Sequence, residues 1–276
     1  MQVDLVTVDE TNIRFAYQPG AGTPLLLLNG IGSSLEVFEP LFQVLAGRAL
    51  VTFDLPGIGA SEARDVPMSM RGFAAKTVAI MDAIGERIAW LQGGWDVLGL
   101  SWGGAVAQEL ALCYPQRIER LILVSTSAGV LSFPPSSDVL ATMAHPYRHV
   151  DADYLVSVAP RLYGGLARTH PRLIREHAYS LKSPSQKGYM YQLWAISSWT
   201  SVFQLKHIEA PTLVMCGTDD PVIRFSNAEF LARHIPDACL QAIEGGGHLF
   251  VLLQPRRALA YIDAFLSERS APAQHA

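Results

Sequence analysis

The sequence is poor in the features that define several large functional classes. Cysteine is scarce: Cys113, Cys216 and Cys239 are the only three in 276 residues, odd in number and widely spaced. They can build neither a disulfide framework nor a cysteine-bound metal knuckle. We read them as reduced, packed thiols and expect no metal and no cofactor. Basic charge is not in excess either, since 21 Lys and Arg stand against 25 Asp and Glu for a net charge of -4. Without an overall cationic footprint, no nucleic-acid partner is expected. Long apolar runs are missing as well. No stretch of about 18 uncharged apolar residues occurs, so no transmembrane segment is expected. Met1-Gln2-Val3-Asp4-Leu5 opens without the basic and apolar regions of an export signal, so the expected location is cytoplasmic. Disorder is excluded by 50% hydrophobic against 17% charged residues, and the length suits one globular core carrying an insertion.

What the sequence does have is alternation. Apolar runs at residues 25–28, 49–53, 95–100, 121–124, 212–216 and 239–243 read as strands. Their near-continuous hydrophobicity is that of a parallel sheet covered on both faces. Between them, residues 35–46 and 73–88 carry apolar side chains at helical spacing, for example Phe73, Val78, Met81, Ile84 and Ile88. Residues 3–17 alternate and predict antiparallel edge strands. The fold class is therefore α/β, a mostly parallel sheet flanked by helices. The alternation stops between about Gly129 and Lys206, where Pro134-Pro135, Pro146, Pro160, Gly164-Gly165, Pro171 and Pro184 separate helical pieces. We expect a helical cap over 129–206, inserted into a core made of 1–128 and 207–276. The cap carries eight Lys and Arg against four Asp and Glu, and ten of the 25 aromatic residues, with Tyr189, Tyr191, Trp194, Trp199 and Phe203 crowded together. That crowding fits an aromatic wall for an apolar substrate, and equally a helix packed on the core.

Gly99-Leu100-Ser101-Trp102-Gly103 sits between an apolar strand and a helix rich in small residues. G-x-S-x-G in that setting is a nucleophile elbow: the strand-to-helix turn is too tight for side chains at the glycines and holds the serine in a strained conformation. A serine hydroxyl needs a base to take its proton, and the base needs an acid to fix its tautomer. Asp219 and Asp220 follow the strand at 212–216 in Cys216-Gly217-Thr218-Asp219-Asp220-Pro221. Asp220, just before Pro221, is the preferred acid; Asp219 is the alternative, better suited to a turn. Among eight histidines, His145, His149, His170 and His177 fall in the cap, His207 at its exit, His234 near a helix end and His275 in the tail. His248 instead follows a strand through Gly245-Gly246-Gly247, which makes it the expected base. Ser101, Asp220 and His248 form the expected triad. The expected oxyanion donors are the backbone N–H groups of Trp102 and of Ile31 in Asn29-Gly30-Ile31-Gly32, although that segment also fits an ordinary glycine turn. Asp54 and Ser61, in Asp54-Leu55-Pro56-Gly57-Ile58-Gly59-Ala60-Ser61, read as loop-shaping residues.

With these residues placed, the chain resembles the α/β-hydrolase superfamily over nearly its whole length. A closer resemblance is to the intracellular medium-chain-length poly(3-hydroxyalkanoate) depolymerases. It is carried by Asn29-Gly30-Ile31-Gly32 with Leu35-Glu36, and by Ser101-Trp102-Gly103-Gly104-Ala105. It continues through Tyr163-Gly164-Gly165, Gly188-Tyr189, Gln192-Leu193, Trp199-Thr200-Ser201, Asp219-Asp220-Pro221 and Gly247-His248-Leu249-Phe250. Residues 130–149, and Arg224 where a proline is common, depart from that pattern. The resemblance implies an α/β-hydrolase fold, the triad named above and hydrolysis of a water-insoluble polyester to 3-hydroxyacids in association with cytoplasmic storage granules. Asn29, Tyr163, Tyr189, Trp194 and Trp199 are the candidate substrate contacts. A carboxylesterase or lactonase acting on small soluble esters would use the same chemistry. A non-catalytic binding protein on the same fold is the alternative of another class, and its usual mark, a missing triad member, is absent. Haloalkane dehalogenase chemistry needs aspartate at the position of Ser101.

Overall fold

The apolar runs pair into one sheet of eight strands in the order β1-β2-β4-β3-β5-β6-β7-β8. The computed structural model describes residues 1–143, 145, 151–182 and 184–267; Pro146, His149 and His275 lie outside the described residues. In chain order, β1 (Gln2–Val8), β2 (Thr11–Gln18), β3 (Ala21–Leu28) and β4 (Arg48–Phe53) enclose a short helix, α1 (Glu39–Val44), preceded by a tight 3-10 turn at Leu35–Phe38. Next come α2 (Met70–Arg87), β5 (Trp95–Leu100), α3 (Trp102–Cys113) and β6 (Ile118–Val124). A helical excursion follows: α4 (Ser137–Met143), α5 (Ala152–Tyr163), α6 (Pro171–Ser180) and α7 (Gln186–Ser197). The chain closes with β7 (Thr212–Gly217), α8 (Phe225–His234), β8 (Ala238–Ile243), α9 (Phe250–Leu253) and α10 (Pro255–Ser267).

Strand side chains alternate between the two faces of the sheet, and here both faces are apolar. Leu26, Leu28, Val97, Leu121, Leu123 and Val214 pack on one face with α2, α3 and α8. Leu25, Leu27, Leu98, Ile122, Val124, Leu213 and Met215 pack on the other with α1, α9 and α10. This double coverage is why the strands read as unbroken hydrophobic runs. Helix α2 starts a turn earlier than its apolar spacing predicts because Ser69 caps it, its Oγ accepting the Gly72 N–H at 3.2 Å.

Two expectations need correction. Strands β1 and β2 are antiparallel, but only β1 lies at an edge; β2 also pairs with β4, which buries Phe15 and Ala16 on opposite faces. Of the three cysteines only Cys216 is packed inside, where burial pushes its thiol up; Cys113, at the end of α3, and Cys239, on edge strand β8, are exposed. Apolar neighbours in sequence do not bury a residue that the sheet edge or a helix end turns outward.

The excursion leaves and rejoins the sheet at one place. Gly129 and Thr200 form an antiparallel bridge, with the Val130 N–H on the Trp199 carbonyl and the Ser201 N–H on the Ala128 carbonyl, both at 3.0 Å. The chain runs from β3 to β4 on one side and then crosses to β5 on the other, so the carboxyl ends of β3 and β5 flank a crevice. Such a reversal point is where open α/β sheets hold their ligands.

Candidate active site

Four loops at the carboxyl ends of β3, β5, β7 and β8 converge on that crevice. At the end of β5 the chain turns sharply into α3, leaving Ser101 with φ 53° and ψ -115°, a conformation that non-glycine residues rarely adopt. The turn is over-determined: the Ser101 N–H donates to the Val124 carbonyl at 2.9 Å, and the Ser101 carbonyl accepts from Thr126 Oγ1 at 2.7 Å. The flanking glycines are required by space. A Cβ on Gly103 would stand 2.2 Å from the Leu28 carbonyl oxygen, and one on Gly99 would stand 2.6 Å from the Gly103 carbonyl oxygen. Helix α3 can therefore press against β3 and β5, which lifts Ser101 into the crevice.

His248 Nε2 lies 3.1 Å from Ser101 Oγ, and His248 Nδ1 lies 2.9 Å from Asp220 Oδ2. Both His248 and Asp220 are buried. The second carboxylate oxygen, Asp220 Oδ1, accepts the backbone N–H groups of Val222 at 2.9 Å and Ile223 at 2.8 Å, which fixes the carboxylate before it meets the imidazole. With Nδ1–H donating to Asp220, Nε2 is left as an acceptor aimed at the serine hydroxyl. The arrangement can move a proton from Oγ to the imidazole and hold the resulting cation against a buried carboxylate. Asp219 is engaged elsewhere. It takes Arg168 in a two-pronged ion pair, 3.0 Å at each contact, and accepts the Gly165 N–H at 2.7 Å. Burial works against its charge, but Gly165 and Arg168 hold its carboxyl below the ordinary range. It clasps the segment after α5 to the acid loop.

The segment Asn29–Gly32 runs beside the serine: a Cβ on Gly30 would stand 3.7 Å from Ser101 Cβ. Ile31 lines the crevice there. Trp102 is the first residue of α3, so its N–H has no acceptor within the helix. Asp54 anchors the far end of the loop, its Oδ1 taking the Leu35 N–H at 2.7 Å and its Oδ2 the Arg14 Nε–H at 2.7 Å. Ser61 Oγ donates to the Asp54 carbonyl at 2.7 Å, so both residues shape backbone rather than face the crevice. Asn29 also turns into the loop, donating to the Ser34 carbonyl at 3.0 Å, and is absent from the crevice lining.

Two chambers meet at Ser101 and share Ile31, Met143 and Val222. The larger has a volume of about 310 Å³ and is lined by Trp102, Tyr189, Leu193, Ile196 and Trp199 among others. The smaller, about 60 Å³, contains His248, Tyr163, His177, Leu181 and Leu249. Each of α4–α7 contributes lining among the described residues: Met143 from α4, Leu155 and Tyr163 from α5, His177 from α6, and Tyr189, Leu193 and Ile196 from α7. Trp199 also donates from Nε1 to Glu109 Oε1 at 2.7 Å, so part of its burial is structural. Trp194 is 55% exposed and lines neither chamber. Helix periodicity explains this: 189, 193 and 196 share one face of α7, while 190 and 194 turn to the other.

Two residues given no role in the sequence reading stand in this structure. Gln192 Oε1 accepts the Gly32 N–H at 2.7 Å and the Gln192 carbonyl accepts from Trp102 Nε1 at 3.2 Å, tying α7 to both sides of the serine. The signal is a glutamine among apolar and aromatic neighbours, four positions after Gly188 and three before Ala195 on the buried face of α7. His177 is the second. Its ring meets Tyr163 edge-on at 6.5 Å, and Tyr163 in turn lies parallel to His248 at 6.2 Å. Burial presses the His177 imidazole down to about 4.

A family model described as alpha/beta hydrolase fold matches residues 23–255. A poly(3-hydroxyalkanoate) depolymerase from Ectopseudomonas oleovorans is 38% identical over 266 residues, covering 95% of this chain and 92% of that protein. A thermophilic esterase from Thermogutta terrifontis, solved with malate bound, superposes with a TM-score of 0.79 at 26% identity, covering 96% of this chain and 98% of that one. The enol-lactonase from Burkholderia xenovorans LB400 gives a TM-score of 0.80 at 22% identity over 96% of this chain and 100% of its own, a likeness of fold.

Proposed function

The chain belongs to the alpha/beta hydrolase fold family, and on that premise we propose that it is a serine-dependent carboxylic ester hydrolase acting in the cell on poly(3-hydroxyalkanoate). Ser101 Oγ attacks an ester carbonyl while His248 Nε2 takes its proton, and Asp220 stabilises the imidazolium. The oxyanion is held by the N–H groups of Trp102 and Ile31. Collapse of the tetrahedral intermediate breaks the ester C–O bond, and His248 returns the proton to the departing alkoxide. Water, deprotonated by His248, then attacks the acyl-enzyme and releases the 3-hydroxyacid with Ser101 restored. Residues 129–206 act as the cap, with Tyr163, Tyr189 and Trp199 as substrate walls; Trp194, exposed, has no part in them.

The observation that carries this reading is the chain from Ser101 Oγ to His248 at 3.1 Å and on to Asp220 at 2.9 Å, opening onto an apolar chamber of about 310 Å³. The 38% identical depolymerase supports the choice of polyester. A small soluble ester or lactone is the second reading, favoured by the smaller chamber's volume of about 60 Å³. The expected result is covalent labelling of the folded protein by a fluorophosphonate, abolished in Ser101→Ala and His248→Ala, with kcat lowered on the order of 10⁴- to 10⁶-fold. An unlabelled but folded wild type would overturn the catalytic reading. Release of 3-hydroxyacids from isolated medium-chain polyester granules supports the depolymerase; activity confined to soluble short esters replaces it with the second reading.

A further inference from the structure

The two chambers do not meet His248 equally. His248 lines the smaller chamber and not the larger, whereas Trp102, the proposed oxyanion donor, lines the larger and not the smaller. The departing alkoxide has to receive its proton from His248 Nε2, so the leaving group occupies the side of Ser101 that faces the imidazole. The smaller chamber is then the leaving-group side and the larger apolar one the acyl side. This division rests on the ester-hydrolase reading above.

Most of the leaving-group wall is apolar: Val37, Leu155, Leu181, Leu249 and Leu252. Set into it is His177, from α6. Among the described residues neither ring nitrogen of His177 has a hydrogen-bond partner; its backbone carbonyl accepts from Ser180 Oγ at 2.8 Å. A half-buried imidazole that lines the same chamber as Ser101 and His248 has one donor and one acceptor to offer a ligand. The Tyr163 ring stands between it and His248, edge-on to one and parallel to the other. His177 is thereby held one ring away from the base instead of competing for its proton. Burial keeps the imidazole neutral near pH 7, so it suits an uncharged acceptor.

We propose that His177 determines leaving-group specificity by donating its ring N–H to a carbonyl oxygen two carbons beyond the departing oxygen. An ester of a 3-hydroxyacid unit carries such a carbonyl, and an ester of a plain alcohol does not.

A matched pair of substrates tests this directly: the octanoyl ester of methyl 3-hydroxybutanoate, and the octanoyl ester of 2-hexanol, which has the same leaving chain without the carbonyl. Attack at the octanoyl carbonyl gives the same acyl-enzyme from both, so a difference in kcat/KM for octanoate release reports the leaving-group side. The wild type is expected to prefer the carbonyl-bearing ester by about 10- to 100-fold. His177→Phe, or His177→Leu if the former does not fold, should bring that ester down to the level of its partner. The 2-hexanol ester should stay within about threefold, and His177→Gln should keep most of the preference because its amide can still donate. Equal wild-type rates on the two esters, a preference that survives His177→Phe or His177→Leu, or an equal loss on both would overturn the assignment while leaving the hydrolase reading intact. Hydrolysis of neither ester by the wild type would instead bring down both.

Discussion

The sheet side of the crevice and the β6–β7 side hold their residues by different means. On the sheet side each residue of the proposed triad is clamped by main chain. Ser101 is fixed through its N–H and carbonyl, and Asp220 through two N–H donors; the His248 N–H donates to the Tyr163 carbonyl at 2.7 Å. On the β6–β7 side the chamber walls are side chains projecting from four helices, and what fixes them is packing together with a few long-range links such as Gln192 to Gly32. The first construction sets positions that chemistry cannot do without; the second sets a volume that can be retailored.

Gly103→Ala tests the rigid side hardest. A methyl group there would stand 2.2 Å from the Leu28 carbonyl oxygen, which belongs to a central strand and cannot move aside. A loss of about 3 kcal/mol or more is expected, seen as a lowered denaturant midpoint at unchanged slope. Met190→Ala, on the exposed face of α7, should shift stability by no more than about 0.5 kcal/mol. Similar losses at the two sites would erase the distinction.

Leu193→Trp probes the other side, where the expected change is in selectivity. The added ring projects into the chamber of about 310 Å³. If this chamber takes the acyl chain, kcat/KM for octanoyl esters should fall about tenfold relative to butanoyl esters, with the melting temperature little altered. A proportional fall for both chain lengths would mean that this volume does not receive the acyl chain.

The same contrast explains what could be read from the sequence. The elbow, the acid loop and the histidine loop are each a few contiguous residues at a strand end, so their chemistry and placement are written locally. Five of the six apolar runs are core strands and the sixth, 239–243, is the largely exposed edge strand β8, while the position of β2 inside the sheet depends on its pairing with β4, which alternation alone does not encode. On the β6–β7 side local reading falters, because its partners are far apart in sequence: Gln192 meets Gly32 across 160 positions. The aromatic crowding at 189–203 merged residues that helix periodicity separates, placing Tyr189 in the chamber and Trp194 outside it. His177 was one cap histidine among several until the fold set it beside Tyr163.

Two titrating groups, Asp96 in the sheet and His177 in α6, carry the comparison into folding stability. Burial pushes Asp96, on β5, up to about 6 against the pull of Arg120 and Arg48. An unfolded aspartate titrates near about 3.9, so between there and about 6 folding takes up a proton at Asp96 and its contribution declines as pH rises. His177 does the reverse. Its folded imidazole titrates at about 4 and an unfolded one near about 6.5, so folding releases a proton and the contribution grows with pH across nearly the same window. In the wild type the two slopes oppose each other. Asp96→Asn removes the falling slope, so its stability should climb with pH relative to wild type. His177→Gln removes the rising slope and should decline relative to wild type, each by about 1 kcal/mol per pH unit at most. Urea midpoints for the three proteins at about pH 4.5 and about pH 6 measure it. Profiles that diverge in opposite senses would show one group in the sheet and one in α6 each held towards its neutral form; parallel profiles would mean that neither group is so held by the fold.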